Sequence, residues 1–356
     1  MAGSGKLWFV SGIQQIGIGV SNVEEAFRWF RASFGMDVPI FDDAGEAPFM
    51  TAYTGGAVHS RRAILAANLH GGSALEIWQF TSRTPAAPSF EIEVGDLGIL
   101  SATIKSPDVR AARAALEAGG AELIGGAAAG PGGADHFFVR GPEGALFEVS
   151  ARDDWFNPSG ARTGGVAGCM IGVSDIDRAL GLYSGILGYG HVRYDETGRF
   201  DDLSPLPGGK RRVRRVLLNQ TGPARGAFGR LFGQSSIELV QLLEGKPRKT
   251  LGGRFWGDLG FIHLCFDVSG IGSLLAVCKE RGFPITADSA DSFDMGEAAG
   301  HFAYIEDPDG TLIEFVETHR LPILKKLGWY LDLRKRDPAK PLPNWMIKSL
   351  GLGRVK

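Results

Sequence analysis

The 356-residue sequence is poor in several features that would narrow its function at once. Its three cysteines are an odd number without the spacing of a disulfide framework, which predicts reduced thiols and a cytoplasmic setting. No apolar stretch approaches the roughly 18 residues of a membrane span, and we expect no secretory signal at the N-terminus. The net charge of −2 predicts no nucleic-acid partner for the chain as a whole.

Charge is nevertheless uneven along the chain. Residues 320–356 carry ten Lys or Arg and two Asp, a net charge of +8, whereas residues 1–319 carry −10. Leu324, Leu327 and Leu331 recur at helical spacing among these basic residues. Such a tail suits a peripheral membrane contact, a partner or dimer contact, or an apolar stripe that packs back on the protein with its charges solvated. All of these alternatives stay open.

The clearest pattern is an internal repeat. The stretch "GIGVSNVEEAFRWF" from Gly17 matches "MIGVSDIDRALGLY" from Met170 at a constant offset of 153 residues. A second, looser pair is formed by "LSATIKSPDVRAARAALEAGG" and "IHLCFDVSGIGSLLAVCKERG", and each leads to a turn and a closing strand, "GPEGALFEVS" or "DPDGTLIEFVE". The pattern predicts four units, each a strand, a helix and about three further strands. They cover residues 13–82, 97–151, 166–244 and 259–318.

These units and the closing "DPDGTLIE" resemble the vicinal oxygen chelate superfamily, which includes glyoxalase I, extradiol dioxygenases and bleomycin-resistance proteins. The resemblance implies an α+β fold of tandem glyoxalase-like domains, each made of two paired βαβββ units that form a cup-shaped mixed sheet. We expect one domain at residues 10–152, a second at 164–319 and a separate tail at 320–356. The first unit is predicted to pair with the second and the third with the fourth, with a linker near Asn157.

Four glutamates lie inside runs that otherwise read as buried strands. A buried carboxylate is costly unless it is paired, protonated or bound to a metal, so these positions need an explanation. The resemblance implies that each unit supplies one metal ligand from its first strand and one from its last. The N-terminal half then offers Gln15, Glu76, Ser101 and Glu148, and the C-terminal half offers Gly168, Glu238, His263 and Glu314.

The C-terminal set predicts the stronger site, because an imidazole and two carboxylates suit a divalent first-row metal. We therefore predict one Zn, Ni, Co, Fe or Mn ion per chain, held by Glu238, His263 and Glu314. The alternatives are solvated glutamates and a core histidine. The N-terminal set is the weaker, and whether it forms a second site stays open.

The resemblance implies a metal-dependent lyase or isomerase whose small substrate carries adjacent oxygens. Glu238 or Glu314 would move the proton as general base and then acid. Two alternatives stay open: a ring-cleaving, extradiol-type dioxygenase, and a non-catalytic protein that binds a small molecule to confer resistance. The basic run at residues 210–215 suits an anionic substrate or a solvated strand end. Residues 221–230, an insertion of the second half, are expected to cover the mouth of the C-terminal cup.

Overall fold

The computed structural model describes residues 8–290, 293–294, 299–324 and 329–355, and these form an α+β protein of four βαβββ units. The first unit consists of β1 (Phe9–Gly19), α1 (Val23–Phe34), β2 (Val38–Glu46), β3 (Ser60–Ala67) and β4 (Ala74–Phe80). The second consists of β5 (Gly98–Ser106), α2 (Val109–Ala118), β6 (Glu122–Ala129), β7 (Asp135–Arg140) and β8 (Leu146–Ala151).

The second half repeats this order. The third unit consists of β9 (Val166–Gly172), α3 (Ile176–Tyr183), β10 (His191–Gly198), β11 (Val213–Asn219), the short α4 (Gly229–Phe232) and β12 (Ser236–Leu242). The fourth consists of β13 (Gly260–Ser269), α5 (Ile271–Glu280), β14 (Ala287–Asp288), β15 (Phe293–Asp294), β16 (Ala299–Glu306) and β17 (Leu312–Leu324). The tail adds β18 (Trp329–Asp332) and α6 (Asn344–Ser349).

Local sequence explains where the helices begin and end. The Asn22 side chain accepts hydrogen bonds from the backbone N–H groups of Glu24 and Glu25 at the start of α1. Gly35 ends α1 with φ = 62°, a left-handed conformation that costs glycine little. Asp175 caps α3 in the same way as Asn22 caps α1. The repeat in the sequence is therefore a repeat of helix signals.

The strands form two curled mixed sheets, and each sheet joins units from both halves. The ten-stranded sheet runs β14-β16-β17-β13-β1-β4-β3-β2, with β15 beside β16 and β18 beside β17. The eight-stranded sheet runs β10-β11-β12-β9-β5-β8-β7-β6. We call them the first cup, built from units one and four, and the second cup, built from units two and three.

The predicted pairing of units within each half is therefore wrong. Strand β1 pairs antiparallel with β13 over its whole length, from Phe9 opposite Ser269 to Gly19 opposite Gly260. Strand β5 pairs in the same way with β9. The family fold, with its paired units and cup-shaped sheets, is as expected. The predicted boundaries of the two halves stay a prediction.

Units of the same half touch through turns and helices instead of strands. Glu143 in the "GPEG" turn accepts hydrogen bonds from the backbone and hydroxyl of Ser21, and Asp309 in the "DPDG" turn does the same for Ser174. Phe30 of α1 packs edge-on against Phe147 of β8, with 5.5 Å between ring centroids. The two sheets thus share one continuous apolar core, and their helices lie within it.

The tail packs back on the protein. Leu342 and Ile347 are fully buried, against Phe228 of the insertion and Phe232 of α4. The helical expectation for the start of the tail is wrong, because Leu324 ends β17 and Leu331 lies in β18. Leu327 lies outside the described residues. No helix in the described part of the chain has both the length and the apolar character to cross a membrane.

Candidate metal centre

Four polar side chains meet at the centre of the first cup, one from each of four adjacent strands. Glu314 lies on β17, His263 on β13, Gln15 on β1 and Glu76 on β4. The register aligns them, since Cys265 lies opposite both Gln15 and Glu314. Because these strands lie at the middle of the sheet, all four side chains are buried.

The ligand atoms of three of these residues converge. One ligand atom each of Glu76, His263 and Glu314 lies within 4.8 Å of the others. His263 Nε2 is 3.1 Å from Glu314 Oε2 and 3.3 Å from Glu76 Oε2. The Gln15 Nε2 donates to both carboxylates, at 3.4 Å to Glu76 Oε2 and 3.5 Å to Glu314 Oε2.

The surroundings fix the His263 ring. Its Nδ1 lies 3.3 Å from the hydroxyl of Tyr304, and the Trp256 ring is nearly parallel to it at 6.4 Å between centroids. Gly17 lies opposite His263 on β1, where any Cβ would overlap the imidazole. A hydrogen-bond partner on one nitrogen of a histidine ring orients the other nitrogen towards a metal. Here that nitrogen is Nε2, which faces the two carboxylates.

The electrostatics of this cluster favour one positive charge between the carboxylates. Burial by itself lowers the pKa of His263, but Glu314 and Glu76 more than offset this and raise the pKa to about 10. His263 Nε2 is buried and has no hydrogen bond of acceptable geometry despite its two close neighbours. An imidazole nitrogen and two carboxylates are suitable donors for a divalent first-row ion. The Gln15 amide directs its Nε2 at the carboxylates here, and rotation about its last bond would offer its oxygen instead. The residues present therefore fit a metal.

Glu238 is not part of this cluster, so the predicted trio of Glu238, His263 and Glu314 is wrong in one member. Glu238 lies on β12 in the second cup, because its unit pairs with unit two. Its place in the trio is taken by Glu76, which the sequence had placed in a separate, weaker set together with Gln15. The Arg215 Nε donates to Glu238 Oε1 at 2.5 Å, and the Tyr194 hydroxyl donates to it at 2.7 Å.

The second cup neutralises its carboxylates with cations of the chain itself. His136 Nδ1 lies 2.5 Å from Glu148 Oε1, and Arg215 and His136 both contact Asp202, at 2.8 Å and 3.3 Å. Burial lowers the pKa of His136, but Asp202 and Glu148 raise it to about 10. The positions that correspond to Gln15 and His263 are Gly168 and Ser101, which offer a metal little. This cup is thus built around ion pairs.

The register explains why the two cups differ. His136 lies two residues before the partner of Glu148 on β7, and Arg215 two residues before the partner of Glu238 on β11. The same register positions in the first cup hold Phe302 and Ala63, which carry no charge. Neither His136 nor Arg215 is among the site residues expected from the sequence, although two cations at equivalent positions of paired units are a signal that the sequence contains.

A cavity of about 330 Å³ opens over Gln15, Glu76 and Glu314. A second cavity of about 620 Å³ lies in the second cup and is lined mainly by polar side chains. The basic run at residues 210–215 is divided between the surface and the second cup. Arg211 pairs with Glu93, and Arg214 pairs with Asp195 and Asp177. Arg215 lines the second cavity, where it is already paired with Glu238 and Asp202.

Comparison with known proteins agrees with this architecture. The family model described as the Glyoxalase/Bleomycin resistance protein/Dioxygenase superfamily matches residues 12–149 and 165–315. Glyoxalase I from Zea mays superposes with a TM-score of 0.53 at 14% identity, over 86% of this chain and 92% of that one. A putative dioxygenase from Bacillus subtilis superposes with a TM-score of 0.56 at 13% identity, over 87% and 86%. No curated protein sequence matches the chain.

Proposed function

Because the chain belongs to the Glyoxalase/Bleomycin resistance protein/Dioxygenase superfamily, we propose that its first cup is a metal-dependent active site of the lyase or isomerase type. The substrate would be a small molecule with two adjacent oxygens. One observation carries the proposal: the first cup buries two carboxylates against a single imidazole, whereas the second cup supplies its own cations. A divalent ion would supply the missing positive charge.

Gln15, Glu76, His263 and Glu314 would hold the ion, which is Zn, Ni, Co, Fe or Mn. When bound, such an ion polarises a carbonyl and stabilises negative charge on the substrate oxygens. Glu76 or Glu314 would accept the proton from the carbon beside the carbonyl and return it to the neighbouring carbon. Tyr304 would hold the His263 ring, and Trp78 and Trp256 would limit the access of water to the pair of carboxylates.

The ring-cleaving dioxygenase is less well supported. Non-haem iron oxygenases typically use two histidines and one carboxylate. The first cup offers one imidazole, an amide and two carboxylates, and the Gln15 position is where a second histidine would be needed. Gly168, the residue of the third unit that corresponds to Gln15, lies in the second cup.

Proton exchange tests the proposal. The full-length chain, loaded with Zn²⁺, Co²⁺, Ni²⁺, Fe²⁺ or Mn²⁺ in turn, is incubated in deuterated water with α-hydroxyacetophenone, whose hydroxyl is on the carbon beside the carbonyl. NMR follows the loss of the signal from the protons on that carbon. We expect exchange with at least one metal, and its loss in both Glu76→Gln and Glu314→Gln. Exchange that is equal in the two variants and the wild type would contradict the assignment of the base.

The same experiment separates catalysis from sequestration. A binding protein of the resistance type would bind an apolar ligand in this cavity without any proton exchange and without need of a metal. Binding of hydroxyacetophenone that persists in His263→Ala, together with an absence of exchange in the wild type, would favour that alternative.

A further inference from the structure

The cavity over Gln15, Glu76 and Glu314 is lined mainly by apolar side chains. Trp78, Trp256, Phe49, Met50 and Phe302 are among these lining residues. A second group of apolar lining residues comes from the insertion and the adjoining helix α4, from the end of β17 and from the tail. It consists of Phe228, Leu231, Phe232, Leu321 and Leu350, and we call it the wall of insertion and tail.

The insertion and the tail are held together as one wall. The backbone N–H of Leu342 donates to the Ala227 carbonyl at 2.9 Å, and Arg230 donates to the Asn344 side chain at 3.1 Å. The end of the tail is fixed to the first unit, since the Val355 N–H donates to the Asp37 carbonyl at 2.9 Å. The tail therefore shapes the cavity of the first cup.

The charged side chains described along this cavity do not favour the binding of an anion. Among the described lining residues, Arg61 is the one cation, and it is ion-paired with Asp43 at 2.5 Å. Glu46 lies among the same lining residues with Glu76 and Glu314 at the cluster. A carboxylate or phosphate on the substrate body would lose its hydration here without a partner, which is costly.

We infer that the substrate of this site is a neutral molecule with an apolar ring or a branched hydrocarbon body, and that Leu350 of the tail helps to select it. The adjacent oxygens would face the cluster of Gln15, Glu76, His263 and Glu314, while the apolar body fits against the wall of insertion and tail. This inference rests on the proposed metal site. It adds the class of substrate and assigns a role to the tail.

The test uses catechols, because their two adjacent oxygens chelate a metal without isomerisation. Binding to the full-length, Zn²⁺-loaded chain is measured by calorimetry without oxygen. The probes are tert-butylcatechol, dihydroxybenzoate, which carries a carboxylate in place of the apolar group, and tert-butylphenol, which lacks the second oxygen. We expect tert-butylcatechol to bind at least about tenfold more tightly than either of the others.

Two variants of the same tail segment provide the matched control. Leu350 lines the cavity, whereas Leu352 is 79% exposed and lines none of it. Leu350→Trp is expected to weaken tert-butylcatechol binding at least about tenfold and to leave zinc content unchanged, because it fills space that the ligand needs. Leu352→Trp is expected to change neither. Thermal unfolding of both variants verifies that each is folded.

The outcomes distinguish this inference from the proposed function. Equal binding of dihydroxybenzoate and tert-butylcatechol, or equal effects of the two tail variants, overturns the inference and leaves the metal site intact. Equal binding of tert-butylcatechol and tert-butylphenol contradicts chelation and hence the proposed function. If the chain retains no zinc, a comparison of tert-butylphenol with hydroxybenzoate still tests the apolar wall.

Discussion

Gly17 lies on β1, the strand beside His263, and its replacement by alanine should displace the His263 ring and weaken metal binding. A Cβ at this position would lie 2.4 Å from Cε1 of His263, and ordinary contact begins at 3.4 Å, so the ring must move by about 1 Å. Trp256 and Tyr304 pack around the ring and leave it little room. Overpacking of this kind costs about 1–3 kcal/mol of stability.

Metal affinity should fall by about 10–100-fold, the usual effect of disturbing the shell that orients a ligand. A chelator competition titration measures the affinity, and urea unfolding measures the stability. Gly45→Ala is the matched control, because Gly45 also lies in a strand of the first cup and a Cβ there meets nothing within 4 Å. Unchanged metal affinity in Gly17→Ala would refute the placement of His263 at the metal.

Three further predictions concern the scaffold. A single proteolytic cut within residues 157–163 should leave both fragments in one complex on size exclusion, because each sheet joins the two halves; separation into two folded halves would contradict the topology. Arg215→Ala should destabilise the fold by about 3–5 kcal/mol in urea unfolding, since it leaves Glu238 buried and unpaired. Arg214→Ala, at an exposed ion pair, should cost at most about 1 kcal/mol, and equal losses would be inconsistent with the buried network. The pKa of His136 is raised from 6.5 to about 10, so its ion pairs stabilise the fold fully below pH 6.5, and this contribution is lost as the pH rises towards 10. The difference in unfolding free energy between wild type and His136→Gln should therefore shrink over that range, and a constant difference would contradict the ion pairing.

Much of the fold was predictable from local signals. The caps at Asn22 and Asp175 and the apolar stripes of the helices recur at one offset, and they identify four units of one family. The closing turns were also recognisable, since Asp307 accepts backbone hydrogen bonds from Asp309 and Thr311 within the "DPDG" turn. These features depend on residues close in sequence.

The pairing of units was not predictable in the same way. A repeat in which unit one resembles unit three is equally compatible with pairing inside or across the halves. The deciding contacts are backbone hydrogen bonds between β1 and β13, which carry no side-chain signature. One clue was present: the donors best suited to a metal, Gln15, Glu76, His263 and Glu314, all belong to units one and four. The misassignment of Glu238 followed from the wrong pairing.

The central claim is that side chains of units one and four together hold one divalent ion. Metal content per chain, determined by elemental analysis of Glu76→Gln and Glu238→Gln beside the wild type, tests it most directly. Glu76 and Glu238 lie at equivalent positions, in the last strand of unit one and in the last strand of unit three. The two variants therefore make the same change in different cups. We predict about one ion per chain in wild type and Glu238→Gln and a loss in Glu76→Gln. Metal that is retained in Glu76→Gln and lost in Glu238→Gln would contradict the account.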